Sequence, residues 1–379
     1  MTIAKNKTVA LAGGGTGGHV YPALAMGAAL AQRGYAIRYY GDPARLEGRV
    51  VPERGIPFQP VPSAQYPRSG LIAKIKFGVS LVKSVWLSRR MLSKDGVDFV
   101  LGVGGYISAP PVLAAWTLGI PTAVHESNVV PGMANRLCAR VARQILLTYA
   151  DTARRLPGKA PREVVGCPVD PSVTQQNQAD ARVHYGLDKD RPVIVVVGGS
   201  LGAQTINDLG IALALSEARL AAGVQVVLVT GPRYFDATSA ALEPAPTDVV
   251  LVRYEDRMAN AYAAADLMIC RAGSSTLAEL SAVGVPSVLV PSPNVTDNHQ
   301  EGNARGREKA GAAVVVTEGA GFELDATVQD VLALVTDAER LGKMRGASTN
   351  QAHGSPAEHV ADLVEQIIQA QGTNNGIRA

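Results

Sequence analysis

Cysteine is scarce in this chain. Cys138, Cys167 and Cys270 are an odd set of three with no C-x-x-C pair. That argues against a disulfide scaffold or a thiolate zinc site, and their apolar or glycine neighbours make them read as small buried hydrophobes in a reduced compartment. Aromatic residues are also few, at 5%, and charged residues reach only 18%. With a formal net charge of +3 and no Arg/Lys block interleaved with aromatics, the footprint of a nucleic-acid binder is missing. A membrane-spanning run is missing too. Phe99–Val124 carries no charged residue, but Gly102, Gly104, Gly105, Pro110, Pro111 and Pro121 divide it into strand, turn, helix and strand. Met1–Lys7 is too short for the core of a signal peptide.

What is abundant is glycine, 39 residues, within a chain that is 47% hydrophobic. That palette suits parallel sheets packed closely against helices. At 379 residues the length predicts two domains, at roughly 150 residues each. Apolar strands alternate with amphipathic helices throughout. The first half predicts strands at Thr8–Ala12, Ala36–Tyr40, Phe99–Gly102, Thr122–His125 and Gln144–Leu147, with helices at Val20–Arg33, Leu71–Leu92, Ile107–Leu118 and Gly132–Val141. The second half repeats the pattern from Val193–Val197 to Ala313–Val316. The join is expected at Cys167–Ala179, where Pro168, Pro171 and a Gln/Asn run interrupt the alternation.

The most informative segment is Val9-Ala-Leu-Ala-Gly-Gly-Gly-Thr-Gly-Gly-His-Val-Tyr-Pro22, an apolar strand entering a glycine turn and then a helix. Such a turn lets backbone N–H groups approach an anion at the positive helix end. Gly13-x-Gly15-x-x-Gly18 matches the dinucleotide fingerprint, with Asp42 after the second strand as a ribose partner, so an NAD(P)-dependent oxidoreductase is one reading. It is not a Walker A loop, because His19 stands where lysine is needed. A second such turn, Val195-Val-Val-Gly-Gly-Ser-Leu-Gly-Ala203, opens the second half, and Gly104-Gly105 and Arg271-Ala-Gly-Ser-Ser275 form a later pair in the same order. A single-cofactor dehydrogenase needs only one of these four turns. Ligands of open parallel sheets bind beyond strand carboxyl ends. His19, His125, Glu126, Asn128, Ser200, Glu279, His299 and Gln300 all fall at such ends, although capping explains any one of them alone.

Taken in order, Gly14-Gly-Thr-Gly-Gly-His-Val-Tyr-Pro22, Gly104-Gly-Tyr-Ile-Ser-Ala-Pro110, His125-Glu-Ser-Asn128, Gly198-Gly-Ser-Leu-Gly-Ala203, Arg271-Ala-Gly-Ser-Ser-Thr-Leu-Ala-Glu279 and His299-Gln-x-x-Asn303 resemble the MurG family. That family transfers N-acetylglucosamine (GlcNAc) from UDP-GlcNAc to undecaprenyl-pyrophosphoryl-MurNAc-pentapeptide (lipid I), making lipid II. The resemblance spans about Thr8 to Val316. It implies a GT-B α/β fold, two Rossmann-like parallel-sheet domains facing across a cleft. Residues 1–168 would form the acceptor and membrane-facing domain and 169–354 the UDP-GlcNAc domain. A helix at 355–371 would pack back on the first domain, ahead of a tail at 372–379.

The resemblance also implies roles. Glu279 would accept the ribose hydroxyls, Ser200 would meet the α-phosphate, and backbone near Glu255 would face uracil. Arg271, Ser274, Ser275 and Thr276 would serve the diphosphate, with the last three opening a helix whose dipole favours it. Gln300, beside His299, and Asn128 would read the sugar, while Thr16, Gly17 and Gly18 would cradle the acceptor diphosphate or touch the donor in a closed cleft, and Tyr106 would join the donor- or acceptor-binding residues. Inverting transfer needs a base near the acceptor hydroxyl; His19 is the first choice and Glu126 the second. No cofactor and no metal are expected, and Asp188-Lys-Asp190 reads as a solvated turn. The family's Asn-Pro-Val-Arg is here Cys167-Pro-Val-Asp170, which leaves Arg162, Arg253 or Arg271 to compensate.

Leu71–Leu92 mixes Leu71, Ile72, Ile75, Phe77, Val79, Leu81, Val82, Val85, Trp86 and Leu87 with Lys74, Lys76, Lys83, Arg89 and Arg90 and has no acid, which fits peripheral binding to an anionic membrane surface at the cytoplasmic face. The remaining alternatives are a GT-B transferase with another lipid or small-molecule acceptor, or a catalytically silent nucleotide-sugar module. Nothing in the pattern sets an oligomeric state.

Overall fold

The computed structural model describes residues 7–62, 70–295, 298–319, 321–349 and 354–376. The chain divides into two compact units, Met1–Asp170 with His353–Ala379, and Pro171–Ala352.

The first unit is built on seven strands, β1 (Thr8–Gly13), β2 (Ala36–Gly41), β3 (Phe58–Pro60), β4 (Val97–Gly104), β5 (Thr122–Glu126), β6 (Gln144–Leu147) and β7 (Arg162–Val164). They lie in the order β3-β2-β1-β4-β5-β6-β7, and every pairing is parallel. The second unit carries β8 (Val193–Val197), β9 (Gln225–Val229), β10 (Val249–Val252), β11 (Leu267–Cys270), β12 (Ser287–Leu289) and β13 (Ala313–Val315), in the order β10-β9-β8-β11-β12-β13. Both sheets reverse direction of growth at the strand that starts the unit, between β1 and β4 and between β8 and β11. That is the doubly wound arrangement, with its binding crevice at the switch point.

Helices cover both faces, so the central strands carry no polar alternation. Val9 to Ala12 in β1 and Val193 to Val196 in β8 are all fully buried. The short edge strands β3 and β7 were not expected, because three-residue pairings such as Phe58-Gln59-Pro60 carry too little pattern to register. The expected helix Ile107–Leu118 is a 3-10 turn, Tyr106–Ser108, followed by a helix at Ala109–Thr117 that begins on Pro110 and Pro111. The expected helix Gly132–Val141 is confined to Met133–Cys138.

The last helix, Pro356–Gly376, runs through part of the expected tail; residues 377–379 lie outside the described ones. Its face of Val360, Ala361, Val364 and Ile368 joins the core formed by Leu24, Leu30, Phe99 and Leu101. Arg33, the C-cap of helix Gly17–Gln32, clasps it through Asp362 at 2.6 Å, Glu358 at 2.7 Å and Glu365 at 3.4 Å. Burial decides the ranking of these contacts, since partly exposed ion pairs contribute under about 1 kcal/mol each. Val364→Asp, which forces a charge into the seam, is expected to destabilise the first unit by roughly 3 kcal/mol or more, and Arg33→Ala by much less. Urea unfolding of the two full-length variants checks this ordering.

Candidate active site

In the first unit the turns after β1 and β4 meet at the switch point. Gly14 N–H donates to the Gly104 carbonyl at 3.3 Å. A Cβ on Gly105, whose φ is +77°, would sit 2.4 Å from the Gly14 oxygen, so both conformation and space require glycine there. The turn is also held from inside. Glu47, fully buried on the helix Leu46–Glu53, accepts the Gly15 N–H at 2.9 Å through Oε2 and the Asp42 N–H at 3.2 Å through Oε1. A Cβ on Gly14 would lie 2.0 Å from that carboxylate. One N–H that the dinucleotide fingerprint would offer to a pyrophosphate is thus occupied by the protein's own anion. Asp42, considered above as a ribose partner, is folded into its own turn by the Ala44 N–H.

Past this anchored glycine, Thr16 is the N-cap of helix Gly17–Gln32 and stands exposed with an extended backbone. Gly17, Gly18 and His19 follow, half-buried. Pro22 removes the N–H that would ordinarily bond the Gly18 carbonyl. The His19 ring packs against Gly104, where a Cβ would come within 2.8 Å of its Nδ1. Tyr106, half-buried, opens the 3-10 turn after β4.

The two expected base residues have opposite surroundings. Glu126, at the end of β5, is 1% exposed. It accepts from the Asn128 N–H and side-chain amide at 2.9 and 3.2 Å, from the Gly132 N–H at 3.1 Å, and from Asn135 Nδ2 at 2.9 Å. Burial raises its carboxyl above the ordinary range, against the pull of these four bonds. A raised pKa suits a base, while all four bonds fall on its two oxygens and hold the 126–132 loop. Beside it, His125 is fully buried, with Nε2 at 2.9 Å from the Gly166 carbonyl and Nδ1 at 3.3 Å from Ser127 Oγ. Nε2 therefore carries the proton, and burial lowers the pKa to about 4. This histidine is structural.

In the second unit Ser200 is exposed in the turn after β8, between Gly199 and Gly202. Arg271 follows β11 and is held by the Val290 carbonyl at 3.0 Å and Glu318 Oε2 at 2.5 Å, while Thr205 donates to the other Glu318 oxygen at 2.6 Å. That chain ties together the segments after β8, β11 and β13. Ser274, Ser275 and Thr276 open the helix Ser274–Val283, whose N-cap is Gly273, and Glu279 stands one turn further on, half-buried. Tyr262 donates to Glu279 Oε2 at 2.5 Å. Glu255, after β10, has its side chain turned inward, accepting from Tyr185 at 2.5 Å and from the Arg257 N–H at 2.8 Å. His299 opens helix His299–Lys309, and Gln300 accepts the Ser292 N–H at 2.9 Å.

Within each unit, therefore, the expected residues gather at strand carboxyl ends. Asp170 is paired with Arg54 at 3.3 Å. Of the arginines considered as substitutes for the missing one, Arg162 is spent on the Leu156, Gly158 and Ala160 carbonyls and Arg253 on Asp236, and Arg271 alone lies beside the β11 turn. Sequence reasoning missed Glu47, Tyr262 and Glu318. Each acts through a residue far along the chain, and no local spacing announces that. Among the described residues no group of three or more His, Cys, Asp or Glu is placed to hold a metal ion.

Two Rossmann-like parallel-sheet units with paired glycine turns at their switch points define a GT-B glycosyltransferase. Residues 9–147 match the glycosyltransferase family 28 N-terminal domain and residues 193–364 the corresponding C-terminal domain. The chain is 40% identical over 372 residues to the UDP-N-acetylglucosamine–N-acetylmuramyl-(pentapeptide) pyrophosphoryl-undecaprenol N-acetylglucosamine transferase of Acidothermus cellulolyticus, covering 96% of this chain and 98% of that one. It is 37% identical to the protein of the same name from Halothermothrix orenii, over 94% and 98% of the two chains. The crystal structure of Acinetobacter baumannii MurG superimposes with a TM-score of 0.76 at 30% identity, covering 95% and 99%. The chain belongs to the MurG family of glycosyltransferase family 28.

The lowered pKa of His125 has a thermodynamic consequence. Between pH 6.5 and about 4 the unfolded chain binds a proton that the folded chain refuses. Stability is therefore lost as pH falls through that window, by at most roughly 1.4 kcal/mol per pH unit from this residue. Glu126, with its raised pKa, works in the opposite sense. The difference between the wild type and His125→Gln isolates the histidine: the variant is expected to lose less stability from pH 7 to 5, as read by urea midpoints.

Proposed function

We propose that this protein transfers GlcNAc from UDP-GlcNAc to the MurNAc 4-hydroxyl of lipid I, forming lipid II with inversion at the anomeric carbon. The observation that carries this reading is the helix Ser274–Val283. Its first turns present Ser275, Thr276 and Glu279, all half-buried, at the end of the central strand β11, with Ser274 buried beneath them. A helix start carries about half a positive charge and unpaired N–H groups, which suits a departing diphosphate. A carboxylate one turn further on suits two vicinal ribose hydroxyls. Ser200 meets the α-phosphate, backbone near Glu255 faces the uracil, and Gln300 with His299 reads the sugar.

The acceptor binds the first unit, where Thr16, Gly17, Gly18 and Tyr106 line the β1/β4 switch point and Asn128 reaches the transferred sugar. His19 takes the proton of the 4-hydroxyl as that oxygen bonds to the anomeric carbon. The bond from that carbon to the UDP oxygen breaks as UDP leaves. Glu126, saturated by its own loop, acts by holding Asn128. Arg271, although paired with Glu318, stands at the end of β11 where it can also meet the diphosphate. No metal takes part in this scheme.

Peripheral attachment to the cytoplasmic face of the plasma membrane completes the reading. No helix among the described residues is long and apolar enough to cross a bilayer. On the helix Leu71–Lys94, however, Ile72, Ile75, Val79, Val82 and Trp86 recur three and four residues apart and are all at least half exposed. They form one apolar stripe, with Lys74, Lys76 and Lys83 exposed alongside and Arg90 stacked on Trp86 at 3.9 Å. The side chain of Leu71 lies outside the described ones. Trp116 on the neighbouring helix Ala109–Thr117 is also exposed. Such a face gains both from apolar insertion and from anionic lipid.

Radiolabelled GlcNAc is expected to pass from UDP-GlcNAc to a lipid I analogue, and His19→Ala to lower kcat by roughly a hundredfold or more at saturating acceptor. Absence of transfer, or near-normal turnover by the variant, would overturn the activity or the role of His19 respectively. Replacing Lys74, Lys76 and Lys83 together by alanine is expected to weaken binding to phosphatidylglycerol vesicles at low salt by about a hundredfold, at roughly 1 kcal/mol per cation. Turnover of a short-chain soluble acceptor should stay unchanged.

A further inference from the structure

Tyr262 has no place in the reaction scheme above, yet its hydroxyl sits directly behind the proposed donor site. The residue lies on the helix Met258–Ala264 and is 1% exposed. Its phenol donates to Glu279 Oε2 at 2.5 Å, and the Thr276 hydroxyl bonds the same phenol. Thr276 and Glu279 are three residues apart, hence neighbours on one face of helix Ser274–Val283. One buried oxygen thus grips both polar groups on that face.

We propose that Tyr262 is a positioning residue for nucleotide recognition, fixing the plane of the Glu279 carboxylate so that it can read the ribose hydroxyls of the donor. The inference rests on the reading of Glu279 as the ribose acceptor. A glutamate has three rotatable side-chain bonds, and a carboxylate that must accept from two vicinal hydroxyls has to present one orientation. A charge-assisted bond from a rigid, close-packed ring removes that freedom before the ligand arrives. Core packing alone would be served by phenylalanine, since a buried hydroxyl is tolerated only where it is bonded. Burial and the adjacent carboxylate push the phenol well above its ordinary pKa, so it remains a donor at any working pH.

The test compares full-length wild type, Tyr262→Phe and Glu279→Gln with UDP-GlcNAc and with its analogue lacking the ribose 2′-hydroxyl. Wild type is expected to show a large loss in kcat/KM with the deoxy donor. Tyr262→Phe should raise the KM for UDP-GlcNAc by roughly tenfold, with kcat and the KM for a lipid I analogue within about twofold, and should shrink the deoxy penalty at least about fivefold. A general loosening of the fold would move both KM values and leave the deoxy penalty intact; that result overturns the inference while leaving the donor reading standing. If the wild type shows no deoxy penalty and Glu279→Gln behaves as wild type, the donor reading itself fails, and the role of Tyr262 falls with it.

Discussion

The close crossing of two chain segments at the β1/β4 switch point is the constraint on which the first unit depends. Gly14 and Gly105 touch backbone to backbone, with no room for a Cβ on Gly105 against the Gly14 oxygen. Because the crossing is that tight, the chain leaves β1 along one path, and the start of helix Gly17–Gln32 is placed with it. Glu47 completes the arrangement from the opposite side. Its buried carboxylate takes the Gly15 and Asp42 N–H groups, so the turn is rigid before any ligand arrives. The residues left facing outward are Thr16 and its successors, and these are the ones proposed to meet the acceptor.

The same economy governs the loop after β5. Glu126 gathers Asn128, Gly132 and Asn135 around a carboxylate that is nearly sealed from solvent. A carboxylate satisfied by N–H donors organises backbone where hydrophobic packing cannot, because loops carry polar groups that must be paired. Glu47 and Glu126 are thus two buried carboxyl groups that shape separate turns at the carboxyl ends of one sheet.

The second unit uses the same topology with different fasteners. Its turns are tied by side chains, Arg271 to Glu318 to Thr205 across three strand ends, and Tyr262 to Glu279 beneath a helix. Strand order is shared because both units must cover a parallel sheet on two faces. Asp170, where the family resemblance implies arginine, is paired with Arg54 within its own unit.

Much of this was legible in the sequence. Runs such as Val193-Ile-Val-Val-Val197 and the glycine turns behind them identify two doubly wound sheets, because a strand buried on both faces and a turn with no room for side chains each leave a local imprint. The residues at strand ends, from His19 to Gln300, were legible for the same reason, and the order of the motifs pointed to the family. The roles of Glu47, Tyr262 and Glu318 were not, nor was the inward turn of Glu126 and Glu255. A carboxylate reads alike in sequence whether it awaits a substrate or holds a turn. Only the folded chain, by bringing a phenol or an N–H from a distant segment within hydrogen-bond reach, decides between the two.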